Sequence, residues 1–266
     1  MSRSVASQIE EAFRAPVHGW DFSWLDGRAQ ETRPPWDYMA LARSAVLHSD
    51  RALDIDTGGG EFLERLRAPH SDLVATEGYG PNVAVAAERL ALLRIPVVHA
   101  ASAPDNADQG DGDPWANGSP LPFSDSAFDL VSSRHSSYWP SEVSRVLKPG
   151  GRFLTQQRSE AGREGEAWED VFQRPTHPHA RFDLAFASQQ LREHGFHIVR
   201  AEEADTPMLF MDLAGVVFYL RLVPWAVENF DPNDDLEALE LVQRRLMAEG
   251  VLRIRGSHML LDCMKR

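Results

Sequence analysis

Between residues 51 and 157 short apolar runs alternate with stretches whose apolar residues recur every three or four positions. Arg51–Asp56, Leu73–Glu77, Pro96–Ala101, Phe128–Ser133 and Arg152–Gln156 read as strands, because near-continuous apolar runs suit a sheet covered on both faces. Glu61–Ala68, Pro81–Leu93 (with Val83, Ala87, Leu90 and Ala91 on one side) and Ser141–Leu147, opened by Pro140, read as helices. This alternation predicts an α/β fold: a doubly wound, mostly parallel, seven-stranded sheet with right-handed crossovers.

The flanks carry weaker patterns. Ile9, Ala12 and Phe13 have helical spacing, Trp20, Phe22, Trp24 and Leu25 form an aromatic cluster, and Pro34-Pro35 interrupts regular structure before a helix beginning near Trp36. Residues 1–48 therefore read as a helical, aromatic extension, either a lid that shields a reaction from water or an added packing layer. Beyond the core (49–157) lies a C-terminal part (158–266) of the same single domain. It reads as an irregular excursion over Arg158–Pro178 with one short helix, a helix over Leu184–His194 and a strand over His197–Glu202. An apolar helix follows within Met208–Phe230, then a helix over Leu236–Glu249 and a final antiparallel pair, Val251–Arg255 with Met259–Met264.

The densest chemistry lies in Ala52-Leu53-Asp54-Ile55-Asp56-Thr57-Gly58-Gly59-Gly60. An apolar strand ending in an acidic, glycine-rich turn before a helix is how an open α/β sheet builds a nucleotide cradle. The next strand ends at Glu77, where such folds place an acid for ribose hydroxyls. A dinucleotide site asks for G-x-G-x-x-G, but its third glycine position here is Leu63. A pyrophosphate would also meet Asp54, Asp56 and Glu61, whereas phosphate favours bare N–H groups and positive charge. S-adenosylmethionine carries a sulfonium and an ammonium and no phosphate, so the same acids attract it.

At these residues the chain resembles motif I of the class I S-adenosylmethionine-dependent methyltransferases. Leu121–Val131 resembles that family's approach to its fourth strand, and Glu142–Phe153 the helix and turn before its fifth. The resemblance implies S-adenosylmethionine as cofactor, with Asp54, Asp56, Thr57, Gly58, Gly60, Glu77, Gly78, Ser102 and Arg134 around it. Two departures stand out: Asp56 replaces a glycine of the motif, and Ser102 stands near the place of an acid that contacts adenine.

Net charge is −13, and no Lys/Arg cluster opposes it, which disfavours nucleic acid as partner. Cys263 is the only cysteine, so no internal disulfide forms. The N-terminal residues lack an apolar signal core, and Leu213–Leu220 is too short to span a bilayer; the expectation is a cytoplasmic protein with no membrane partner. The Asp-rich run Asp105–Asp113 fits no EF-hand register, and His177 and His179 lack a third ligand nearby, so no metal site is expected.

For chemistry the candidate is His135, just past the fourth strand at the switch point of the sheet, as a base or as a group that orients the acceptor. Arg134 could reach the cofactor through its backbone, a substrate carboxylate, or a local acid. Tyr219, Trp225 and Phe230 fit an acceptor pocket or core packing equally. The leading expectation is methyl transfer to a small-molecule acceptor, such as one of secondary metabolism. The alternatives are an RNA or protein methyltransferase, or a non-catalytic S-adenosylmethionine-binding module.

Overall fold

The computed structural model describes residues 3–17, 21–66, 72–106, 120–173 and 182–266. Its helices are α1 Val5–Arg14, α2 Tyr38–Leu47, α3 Glu61–Leu66, α4 Gly80–Ala91, α5 Pro140–Val146, α6 Glu164–Phe172, α7 Leu184–Glu193, α8 Leu213–Leu222 and α9 Leu236–Glu249. Its strands are β1 Ala29–Glu31, β2 Arg51–Ile55, β3 Asp72–Glu77, β4 Val97–His99, β5 Phe128–Arg134, β6 Leu147–Ser159, β7 Phe196–Asp205, β8 Met208–Phe210, β9 Leu252–Ile254 and β10 Ser257–Lys265. Trp20, Ala68, Asp108, Asp111, Asp113, His177 and His179 lie outside the described residues.

The chain divides into two compact units. One comprises Met1–Pro34, Glu160–His179 and Ala204–Ser257; the other comprises Pro35–Ser159, Ala180–Glu203 and His258–Arg266. The first division falls inside Pro34-Pro35, whose pyrrolidine rings cannot continue a helix or a sheet ladder.

The larger unit holds a seven-stranded sheet in the order β4-β3-β2-β5-β6-β10-β7. β2 lies between β3 and β5, parallel to both, with Leu53 opposite Val74 and Val131. β3–β4 and β5–β6 are also parallel. Leu53, Val131, Phe128, Phe153, Val143 and Phe196 are fully buried here, which is why the strands read as apolar runs. At the amino ends Asp129 joins three elements, accepting from Arg51 N (2.9 Å) and Lys148 Nζ (2.7 Å). The strand order reverses at β2, with β3 and β4 on one side and β5 and β6 on the other, so the crevice for a ligand opens at the carboxyl ends of β2, β3 and β5.

The smaller unit is built around α8, buried at nine of its ten positions. A helix apolar on every side belongs at a centre. Trp24 packs on Phe218 (centroids 4.6 Å), and Trp168 packs on Phe210 and Tyr219. A three-stranded antiparallel sheet, β1-β8-β9, accompanies it. Tyr219 is thus a core residue of this unit, its hydroxyl 3.2 Å from Glu164 Oε1. Among the described residues no helix is long and apolar enough to cross a membrane.

The apolar helix expected within Met208–Phe230 is α8, which starts only after Asp212, whose side chain caps it by accepting Gly215 N at 2.8 Å; Met208–Phe210 before it pairs as β8. Two sequence expectations are corrected. The two C-terminal strands do not pair with each other, because Gly256 separates β9, which joins β8, from β10, which enters the seven-stranded sheet between β6 and β7. β6 begins at Leu147 and runs to Ser159, so the helix before it stops at Val146 and the excursion after it is shorter than expected.

Candidate functional site

The turn after β2 is sewn to the end of β3. Thr57 N donates to Thr76 O (2.9 Å), and Asp56 N to Thr76 Oγ1 (3.2 Å). Glu77 closes the seam: its Oε2 accepts Gly58 N and its Oε1 accepts Tyr79 N, both at 2.7 Å. Gly58 has φ +65°, a left-handed conformation, and a Cβ there would meet nothing within 4 Å, so the turn presents bare backbone to open space. Gly60 is left-handed too and packs against Leu90 of α4, while Thr57 O accepts Gly60 N at 3.2 Å.

Asp54 lies buried at the end of β2 and accepts Ser132 Oγ of β5 at 2.6 Å. Burial pushes its carboxyl up from 3.8 to about 6, against the pull of Ser132, Thr57 and Arg134. Asp56 adopts φ +51°, which explains why a glycine is usual at this place. Its carboxylate turns away from the glycines: it accepts Gly78 N (3.2 Å) and a bond from the Ser102 hydroxyl. Burial, and the charges of Glu77 and Asp54, raise Asp56 to about 6 as well. Glu77 is raised by burial, opposed by its backbone N–H partners.

Gly78 allows this convergence, since a Cβ there would stand 2.1 Å from Ser102 Oγ. The structure thus gathers Asp54, Asp56, Thr57, Gly58, Gly60, Glu77, Gly78 and Ser102 at one end of the sheet. Glu61 is the correction: Arg89 of α4 pairs with it and also donates to Gly59 O, so the third acid of the cluster is Glu77.

A narrow cleft of about 290 Å³ adjoins these residues, lined by Ile55, Asp56, Thr76, Ala101–Ala103, Leu121, Ser137–Trp139 and Glu142. Trp139 is buried, and its indole N–H has no acceptor among the described residues. Such a donor in a cleft wall suits a ligand that brings a ring nitrogen or an oxygen. Buried Glu142 anchors the wall by accepting Leu121 N (2.7 Å) and binding Arg145, which also donates to the carbonyls of Leu121 and Phe123.

His135 follows β5 at φ +57°. Its backbone N–H donates to Gln156 O at 2.9 Å, and its Nε2 lies 3.0 Å from Gln156 Nε2. The Gln156 amide oxygen in turn accepts the Trp36 indole N–H at 2.8 Å. The His135 and His258 rings are 4.9 Å apart. His135 retains open surface although protein crowds it on several sides. Desolvation by that crowding, then the charges of Arg134, His258 and Arg158, set its pKa well below the usual histidine range. Arg134 lies with its guanidinium over the Phe62 ring, 5.5 Å from the centroid.

Sequence reasoning missed several contributors. Tyr38 Oη is 3.2–3.3 Å from the carbonyls of Ser133 and Leu154, and Gln157 Nε2 donates to Ser136 O (2.9 Å), whose hydroxyl reaches Ile55 O (3.2 Å). Together with Trp36 and Gln156 these fix the loop that carries His135. Only the polar ending of the β6 run, Thr155-Gln156-Gln157, signalled them. His194, by contrast, caps α7 through Gln190 O. Among the described residues no group of three or more His, Cys, Asp or Glu is arranged to hold a metal ion.

No family model matches the chain. A curated relative, the uncharacterized protein YafE of Escherichia coli K12, is 51% identical over 41 residues, 13% of this chain and 20% of YafE, so the match spans about a fifth of that relative. Among solved structures, a candidate methyltransferase of Bacillus halodurans C-125 is similar with TM-score 0.57 and 20% identity over 86% of this chain and 98% of that one. Bacillus subtilis YcgJ gives TM-score 0.54 and 15% identity over the same shares, 86% and 98%. The 4+2 cyclase SpnF gives TM-score 0.50 and 17% identity over 98% of this chain and 93% of its own. With the strand order and the acidic glycine turn after β2, these likenesses show that the chain has the fold of the class I S-adenosylmethionine-dependent methyltransferases.

Proposed function

We propose that the chain binds S-adenosylmethionine and transfers its methyl group to a small-molecule acceptor. The observation that carries this reading is the set of three buried or half-buried carboxylates, Asp54, Asp56 and Glu77, around a bare glycine turn at the carboxyl ends of β2 and β3. Asp54 and Asp56 are raised to about 6 by burial, Asp56 also by the charges of Glu77 and Asp54, a cost that a positively charged ligand relieves. A diphosphate would add negative charge to the same floor.

In this reading Glu77 holds ribose hydroxyls with lone pairs left beside Gly58 N and Tyr79 N. Asp54 and the open backbone of Gly58 face the charged methionine end. The Asp56–Ser102 pair and the Trp139 N–H meet the adenine side. The bound cofactor supplies a methyl carbon already activated on a sulfonium. The protein's part is to align it with the acceptor, and positioning of that kind can supply ~7–11 kcal/mol. Arg134 and His135 lie where the acceptor would sit.

A second reading, a fold that binds the same cofactor without transferring methyl, is kept because a 4+2 cyclase shares the architecture. Thermal-shift measurements with S-adenosylmethionine, S-adenosylhomocysteine and NAD test the cofactor. Stabilisation by the first two and none by NAD is expected; the reverse pattern defeats the assignment. Transfer of a labelled methyl group to a component of a metabolite extract separates the two readings.

A further inference from the structure

The hydrogen bonds around His135 define its protonation state. The Trp36 indole nitrogen can only donate, so the Gln156 atom facing it, 2.8 Å away, must be the amide oxygen. The other amide atom, the NH2 group, therefore faces His135 Nε2 at 3.0 Å, and an NH2 group can only donate. Nε2 must then be an unprotonated acceptor. The proton of a neutral imidazole is left on Nδ1.

The two side chains that impose this, Trp36 and Gln156, are buried and come from segments 120 residues apart. Gln156 grips the same residue twice, accepting the His135 backbone N–H at 2.9 Å as well. The left-handed backbone of His135 is strained for a non-glycine residue, and such strain persists only where surroundings over-determine it.

We propose that His135 is a fixed, neutral Nδ1–H donor that orients an oxygen of the methyl acceptor, and that Gln156, anchored by Trp36, is the positioning residue that withdraws its Nε2 from proton abstraction. This rests on the methyl-transfer reading and narrows it: the acceptor presents an oxygen, and any proton it sheds goes to water or was lost before binding. The charged and titratable groups that act on His135 favour the same state. Arg134 and Arg158 both oppose a third positive charge there. His258, against the His135 ring, is itself lowered to about 3 by burial and by those two arginines, and stays neutral.

The test is nitrogen-15 NMR of the histidine rings in the whole chain, with His135→Asn used for assignment. We expect His135 with a protonated Nδ1 and a bare Nε2, and no titration between about pH 5 and 8, the range in which an ordinary histidine changes charge. A protonated Nε2, or titration in the normal range, overturns the proposal. Gln156→Glu replaces the donor by a carboxylate and should move the proton to Nε2. An unchanged ring in that folded variant overturns the role of Gln156.

Asparagine keeps an N–H donor near the Nδ1 position, tolerates the left-handed backbone and has no basic nitrogen. In a labelled-methyl assay on a metabolite extract, His135→Asn should stay within about tenfold of the parent, while His135→Ala loses roughly 100-fold or more, the cost of one preorganised donor. Equal losses in the two variants overturn the donor role. Failure to bind S-adenosylmethionine by thermal shift instead defeats the methyl-transfer reading, and with it the acceptor; the tautomer is read independently by NMR.

Discussion

The carboxylate of Glu77 accepts the backbone N–H of Gly58 at 2.7 Å, so the acid at the end of β3 shapes the glycine turn at the end of β2. Its other oxygen takes Tyr79 N at the same distance. Glu77→Ala leaves both N–H groups without this acceptor. It is expected to cost about 1–3 kcal/mol of stability, the range for leaving a buried donor unsatisfied. Cofactor affinity should fall together with the urea midpoint. A variant of parental stability that binds S-adenosylmethionine as the parent does would contradict this placement.

Asp54 and Asp56 make stability depend on pH in a defined direction. Both carboxyls are raised from 3.8 to about 6 in the folded chain, so each holds its proton more tightly folded than unfolded. The stability this confers is full below pH 3.8 and is lost as pH rises through about 6. Asp54→Asn removes its share of that dependence. Relative to the parent it should gain stability between pH 4 and 7, by about 3 kcal/mol at the upper end. Urea unfolding of both proteins across that window checks the sign.

A cationic ligand reverses the preference of the same groups. S-adenosylmethionine should therefore bind more tightly as pH rises from about 5 to 7 and should expel protons on binding. Calorimetry in buffers of different ionisation enthalpy reads the proton count directly. Uptake rather than release would show that the acids do not face the cofactor's charge.

Gly78→Ala tests the convergence of β3 and the chain after β4. The new methyl would stand 2.1 Å from Ser102 Oγ and 2.7 Å from Ser102 N, and the backbone nitrogen cannot swing aside as a side chain can. A loss of about 1–3 kcal/mol is expected, as for other overpacked sites, together with weakened cofactor binding. Parental melting temperature and affinity would refute the close approach.

Arg145 should matter for the cleft wall rather than for chemistry. Glu142 beneath it is 2% exposed, and removing the guanidinium by Arg145→Met strands a buried charge. The expected cost is about 3–5 kcal/mol. The Glu142→Gln, Arg145→Met double variant should recover part of it, which a double-mutant cycle on urea midpoints measures.

What could be read in advance follows the strength of local signals. β2, β5 and α9 were legible because a buried parallel strand is a continuous apolar run and because Leu239, Val242 and Leu246 repeat at helical spacing. The glycine turn was legible because its backbone tolerates few residues. β1 and β8 were not, since three residues are too few to show a period; β9 lies inside the expected strand Val251–Arg255, but its partner did not follow from the pattern. The position of β10 depends on which strand edge is open, a tertiary fact that no local pattern carries. Trp36 and Gln156 were missed for the same reason: their partnership spans 120 residues. Asp56 was noticed as a departure, but its turn toward Gly78 and Ser102 became visible only with the backbone at φ +51°.

The central claim is that the acids around Gly58 select a positively charged nucleoside. Isothermal titration of the whole chain at neutral pH, with S-adenosylmethionine and separately with NAD, tests it most directly. Saturable one-to-one binding of S-adenosylmethionine, weakened by Glu77→Ala and absent for NAD, is the result expected. Saturable binding of NAD with no heat from S-adenosylmethionine would contradict it.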